Sequence, residues 1–135
     1  MKVVLDTNTL VSATIAKGNE FELLRKARNN EFELILSLGI LDEFEDVISR
    51  KRFGYGKESI NRAVDAIIGI AEIVEPTEKI DVIKEDPDDN KILECALCGK
   101  VDYIVSGDHH LFDLEEYMGI KIVRTRKMLE ILEKD

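Results

Sequence analysis

KVVLDTNTL, residues 2–10, decides how this chain is read. An apolar strand runs straight into aspartate, threonine and asparagine, residue types that a strand interior disfavours. Asp6 is therefore expected where the strand ends and a helix begins, the edge at which open α/β sheets gather their ligands. The same punctuation returns late in the chain, where YIVSGD, residues 103–108, ends an apolar run on Asp108. Asp6 and Asp108 meet only if these two strands are neighbours, an adjacency that arises when a sheet winds one way and then reverses.

Working outward, apolar runs and helical periods alternate along the whole chain. VVL (3–5), FELIL (32–36), YIV (103–105) and IKIV (120–123) read as strands, and EIVEP (72–76) as a short strand stopped by Pro76. Helical periods cover Thr9 to Arg28 with a break near Gly18, residues 39–50, Lys57 to about Ala71, Asn90 to Leu97, and Thr125 to Leu132. Strands separated by helices and apolar along their length imply a parallel sheet covered on both faces. The expected fold is α/β, a three-layer α/β/α domain, with residues 1–135 forming a single domain. Beyond the stripe of Ile60, Val64, Ile67 and Ala71, the 57–74 segment carries Ile68, Ile70 and Ile73. These imply burial on two sides or a face between two copies, and a homodimer is expected.

The composition narrows the function classes. Of 135 residues, 44% are hydrophobic and 35% charged, without an apolar run long enough to span a bilayer. A cytoplasmic chain with no membrane role is expected. The 28 acids against 19 bases give a formal charge of −9, which opposes long-range attraction to duplex DNA or anionic lipid. Any nucleic-acid role must then be local or bridged by metal. Cys95 and Cys98 form a C-x-x-C, yet no second cysteine pair exists to close a zinc site. They read as small packing residues, with Gly99 as the helix cap.

Most of the acids are solvated surface, so the inward ones carry the reading. In DPDDNKIL, residues 86–93, Asp86 reads as an N-cap, Pro87 as the first helical residue, and Asp88 as an acid favoured by the helix dipole. Asp89 differs. At about 100° per residue it falls between Ile92 and Leu93 on the helical wheel, the side that is buried. An acid pointing inward there must be paired, protonated or bound to a cation. In LGILDEFEDVISR (38–50) the buried stripe is Ile40, Phe44, Val47 and Ile48. Glu43 lies at its edge, whereas Asp42 and Asp46 are solvated. Asn8 adds an amide suited to orienting a carboxylate or holding a water.

Four inward carboxylates, Asp6, Glu43, Asp89 and Asp108, cannot all stay ionised in one cleft without something positive between them. Oxygen-only donors suit Mg²⁺ or Mn²⁺ better than zinc. A metal there acidifies a water and neutralises phosphate charge, which leads to phosphodiester hydrolysis.

The ordered set LDTN, SLGILDEFEDVI, DPDDNKILECAL and YIVSGD resembles the PIN-domain family of metal-dependent ribonucleases, and more narrowly its prokaryotic VapC-like toxin components of toxin–antitoxin systems. The likeness runs over essentially the whole chain in order and spacing. It implies a parallel five-stranded sheet in the order 3-2-1-4-5 and an acidic Mg²⁺ or Mn²⁺ pocket. It implies metal-dependent endonucleolytic cleavage of single-stranded RNA, leaving a 5′-phosphate and a 3′-hydroxyl, and an antitoxin protein as partner. Asp6, Glu43, Asp89 and Asp108 match the family's catalytic and metal-holding acids, and Asn8 and Ser106 its supporting polar positions. Ser37-Leu38 stands where the group often has Ser-Pro, and His109 and His110 where it has other polar residues. The histidines read as rim residues or as substrate contacts, and the basic clusters Arg50-Lys51-Arg52 and Arg124, Arg126, Lys127 as solvated helix ends or phosphate contacts.

Two rivals differ in class. A haloacid-dehalogenase-like phosphatase would also place an aspartate after its first strand, but needs a second acid two residues on, where this chain has Asn8. Covalent trapping of phosphate on Asp6 would distinguish it. A PIN scaffold that binds a protein or RNA without cutting is the second rival, and the presence of all four acids argues against it.

Overall fold

The computed structural model describes residues 1–134. Its elements are β1 (Lys2–Leu5), α1 (Thr7–Ile15), α2 (Asn19–Arg28), β2 (Glu33–Ser37), α3 (Leu38–Ile48), α4 (Lys57–Ile68) and β3 (Ala71–Val74). There follow α5 (Asn90–Gly99), β4 (Tyr103–Val105), α6 (His109–Phe112), β5 (Glu116–Tyr117), β6 (Ile120–Val123) and α7 (Thr125–Glu133). Short 3-10 turns at Lys51–Phe53 and Pro87–Asp89 precede α4 and α5.

The sheet has six strands in the order β3-β2-β1-β4-β6-β5. The first five are parallel, in the expected 3-2-1-4-5 order, with β6 filling the fifth place. The extra member, β5, is a two-residue antiparallel edge strand joined to β6 by a tight turn. Met118 and Gly119 both take positive φ there, 51° and 83°, as the two-residue hairpin turn matching strand twist requires. Methionine in place of Asn or Asp hides this turn from the sequence.

Burial explains the strand composition. Val3, Val4, Leu5, Ile104 and Val105 in the two central strands are wholly buried, so they are apolar along their length instead of alternating. Helices lie around the sheet. α5 packs on β1, β2, β3 and β4, while α1 packs on α2 and α3, and α2 on α7. Among the described residues no helix is long and apolar enough to cross a membrane.

Three local expectations are corrected. The helix expected to reach Ala71 stops at Ile68, and Ala71 instead pairs with Leu34 in the sheet. Ile68 and Ile73 remain 44% and 37% exposed, so burial on two sides does not explain them. Gly99 does not cap α5; Lys100 takes the left-handed position at φ 52°. Gly99 is needed for approach: a Cβ there would lie 2.5 Å from Ile35 Cγ2. Of the cysteines, Cys95 is buried on the inner face of α5, which pushes its thiol up to about 12, and Cys98 is exposed.

Helix and strand are in contact at Gly99, so a single methyl group overpacks that interface. Gly99→Ala is expected to lower stability by about 1–3 kcal/mol, read as a lower midpoint in urea unfolding with an unchanged slope.

Candidate metal centre

The reversal of the sheet between β1 and β4 creates the site. The chain leaves β1, builds β2 and β3 on one side, and returns to lay β4 against the other side of β1. Leu5 is paired with Val105, so the residues that follow each strand emerge side by side.

Asp6 sits at the N-cap of α1. Its Oδ1 accepts the Thr9 amide hydrogen at 2.9 Å, the capping bond that starts the helix. Its Oδ2 accepts the Ser106 hydroxyl hydrogen at 2.5 Å. Ser106 is fully buried, and its oxygen also accepts the Asp108 amide at 2.9 Å. One hydroxyl thus ties the end of β1 to the loop after β4. Asp108 in turn caps α6 by accepting the His110 amide at 2.8 Å.

The strap between β3 and α5 brings the remaining acids. Buried Asn90 holds it: its carbonyl oxygen accepts from the Val82 and Ile83 amides, and its amide donates to the Ile83 and Pro87 carbonyls. Glu94 adds a bond from the Ile80 amide. Sequence reasoning passed over Asn90, since a polar residue at a helix start reads as surface; only burial reveals the clamp.

So positioned, Asp86, Asp89 and Asp108 each offer an oxygen within 4.8 Å of the others, all three half-buried. Asp86 corrects the expectation that it serves only as a cap. It occupies the N-cap position, but makes no side-chain capping bond among the described residues and turns toward Asp89 and Asp108. Asp88 behaves as expected, exposed and 3.7 Å from Lys91. Glu43 lines the same cleft of about 660 Å³ but stands outside the tight group, 3.9 Å from Lys91 Nζ. Asn8 is exposed at the cleft wall.

The electrostatics follow from this crowding. Burial raises the Asp6 carboxyl above its ordinary value against the opposing bonds from Ser106 and Thr9, and Asp108 adds to the rise. Burial, then the charges of Asp108, Asp86 and Asp6, push Asp89 up to about 7. Asp89 Oδ2 is buried with no hydrogen-bond partner among the described residues. An orphaned carboxylate oxygen is costly. Here it belongs to an all-oxygen donor set with unbalanced negative charge, which fits a hard divalent cation.

The raised Asp89 also sets a pH dependence. An unfolded aspartate titrates near 4, whereas Asp89 in the folded chain titrates at about 7, so between these values the folded state holds the extra proton. Stability of the metal-free chain is therefore expected to fall as pH rises from about 4 to about 7, then to level. Urea midpoints across that range check this, and Asp89→Asn, which cannot ionise, reduces the slope.

The comparisons agree with the fold. The PIN domain family model matches residues 2–110. PAE2754 from Pyrobaculum aerophilum superposes with a TM-score of 0.69 at 12% identity, over 100% of this chain and 91% of that one. VapBC2 from Rickettsia felis, bound to a DNA fragment from their promoter, superposes with a TM-score of 0.61 at 18% identity. That match covers 90% of this chain and 97% of the other. No curated protein sequence matches. The structural likenesses show a shared fold, and the family match over residues 2–110 places this chain in the PIN domain family.

Proposed function

We propose that this chain is a divalent-metal-dependent endoribonuclease that hydrolyses phosphodiester bonds in single-stranded RNA, leaving a 5′-phosphate and a 3′-hydroxyl. The observation that carries the reading is Asp89, whose Oδ2 is buried with no hydrogen-bond partner among the described residues and which offers a carboxylate oxygen within 4.8 Å of oxygens of Asp86 and Asp108. Asp6, Glu43, Asp89 and Asp108 form the catalytic and metal-holding set, joined by Asp86. Mg²⁺ or Mn²⁺ bound there supplies a counter-charge for phosphate and a more acidic water.

The chain's own groups have separable tasks. The Ser106 hydroxyl holds the Asp6 carboxylate in place and fixes the loop that presents Asp108. Lys91 lies near Glu43 and Asp88, which leaves the uncompensated charge on the Asp89 and Asp108 side. Asn8, exposed at the cleft wall, supplies an amide suited to orienting a carboxylate or holding a water. The same uncompensated charge suits an antitoxin segment that inserts an arginine or lysine. Such a partner inhibits cutting, and excess Mn²⁺ relieves the inhibition.

The test is cleavage of a mixed single-stranded RNA pool by purified protein with Mg²⁺, Mn²⁺ or EDTA. Metal-dependent cutting is expected, falling at least about a hundredfold in Asp6→Asn and Asp89→Asn, as loss of electrostatic stabilisation at a reacting centre does. Equal cutting by wild type and both variants would overturn the proposed site.

A further inference from the structure

A second concavity lies between α6, β6 and α7. Its volume is about 470 Å³, within the roughly 300–1,000 Å³ that small-molecule sites occupy. Phe112, Ile122 and Val123 supply its apolar lining, and Arg124, Arg126 and Lys127 its cations. Glu115 and Glu130 also border it, so three bases face two acids. In a chain of net charge −9, that makes this rim locally positive.

This concavity and the acidic cleft share no lining residue, and one loop links them. Arg124 Nη1 donates to the Gly107 carbonyl at 3.3 Å, and Gly107 immediately precedes Asp108. The Arg124 guanidinium carbon also lies 4.2 Å from the centroid of the Phe112 ring. Phe112 ends the short helix that Asp108 caps. Arg124 is thus anchored to both the loop and the helix that present Asp108, with a flat cation beside an apolar cleft.

Resting on the nuclease reading, we propose that this cleft is a nucleobase subsite, taking one unstacked base of an RNA strand whose phosphate lies at Asp89 and Asp108. Bases splayed from single strands stack on aromatic rings and on guanidinium planes, while neighbouring cations hold the backbone. The outer face of the Arg124 guanidinium, backed by the Phe112 ring, supplies the stacking surface, and Arg126 and Lys127 the phosphate contacts. The positive rim, and the anchoring of Arg124 to the loop that presents Asp108, favour a polyanion over the apolar side chain of a protein partner.

The test uses a fluorescein-labelled single-stranded RNA octanucleotide and a series in which each position in turn lacks its base. Binding is followed by anisotropy in Ca²⁺ for wild type, Arg124→Ala and Arg124→Lys, each checked for native thermal unfolding, with Mn²⁺-dependent cutting measured in parallel. One abasic position is expected to weaken wild-type binding about tenfold and to have no further effect in Arg124→Ala. Arg124→Lys, which keeps the charge but not the plane, is expected to lose the same base dependence. Absence of RNA binding, or an abasic cost equal in wild type and both variants, overturns the subsite and leaves the cleft to a protein side chain. Cutting that persists without this coupling overturns the subsite alone. Coupled binding without cutting supports the subsite and overturns the nuclease reading.

Discussion

Everything at this site depends on the parallel pairing of β1 with β4. Backbone hydrogen bonds fix that pairing, and both strands are buried on each face. A shift of β4 by one residue would turn its side chains to the opposite face and move Asp108 relative to Asp6. The Ser106 hydroxyl makes the coupling explicit, since it donates to Asp6 and accepts from the Asp108 amide. Fold and site are thus one construction: the core that holds the sheet together also sets the spacing of the acids.

The acids impose a cost that the sheet must carry. Carboxylates near one another in a partly desolvated cleft repel, and the raised values of Asp6 and Asp89 express that repulsion and burial together. Neighbouring chemistry does little to relieve it. Lys91 pairs with Glu43 and Asp88, and among the described residues no salt bridge reaches Asp86, Asp89 or Asp108. The clamp formed by Asn90 has the complementary role, holding the strap so that Asp86 and Asp89 stay where repulsion would otherwise drive them apart. Stability is given up locally where a cation can restore it, as functional sites commonly do.

Much of this is written in the sequence, and the gaps have physical causes. Asp6 and Asp108 are legible as acids that end apolar strands at the ligand-gathering edge of the sheet, although each also caps the helix that follows, so their positions in the sequence read equally well as caps. Asp89 is legible from its helical phase, and its buried, unpartnered oxygen agrees with that phase. Asp86 was hidden because an aspartate before proline at a helix start is also ordinary capping chemistry; only the turn of its side chain separates the two. Glu43 has the phase expected of it but faces Lys91, a pairing across elements that no local period encodes. The same holds for Gly99, whose contact with Ile35 spans two elements far apart in sequence, and for the Met118-Gly119 hairpin, which lacks the usual turn residues.

The cation itself is the centre of this reading, and it is measured directly by titrating metal-free protein with Mn²⁺ and following loss of the free-ion paramagnetic resonance signal. Wild type should take up Mn²⁺, and Asp89→Asn, with its circular dichroism unchanged, should lose that uptake. Equal uptake by the two proteins, or none by wild type, would contradict a metal centre built on Asp86, Asp89 and Asp108.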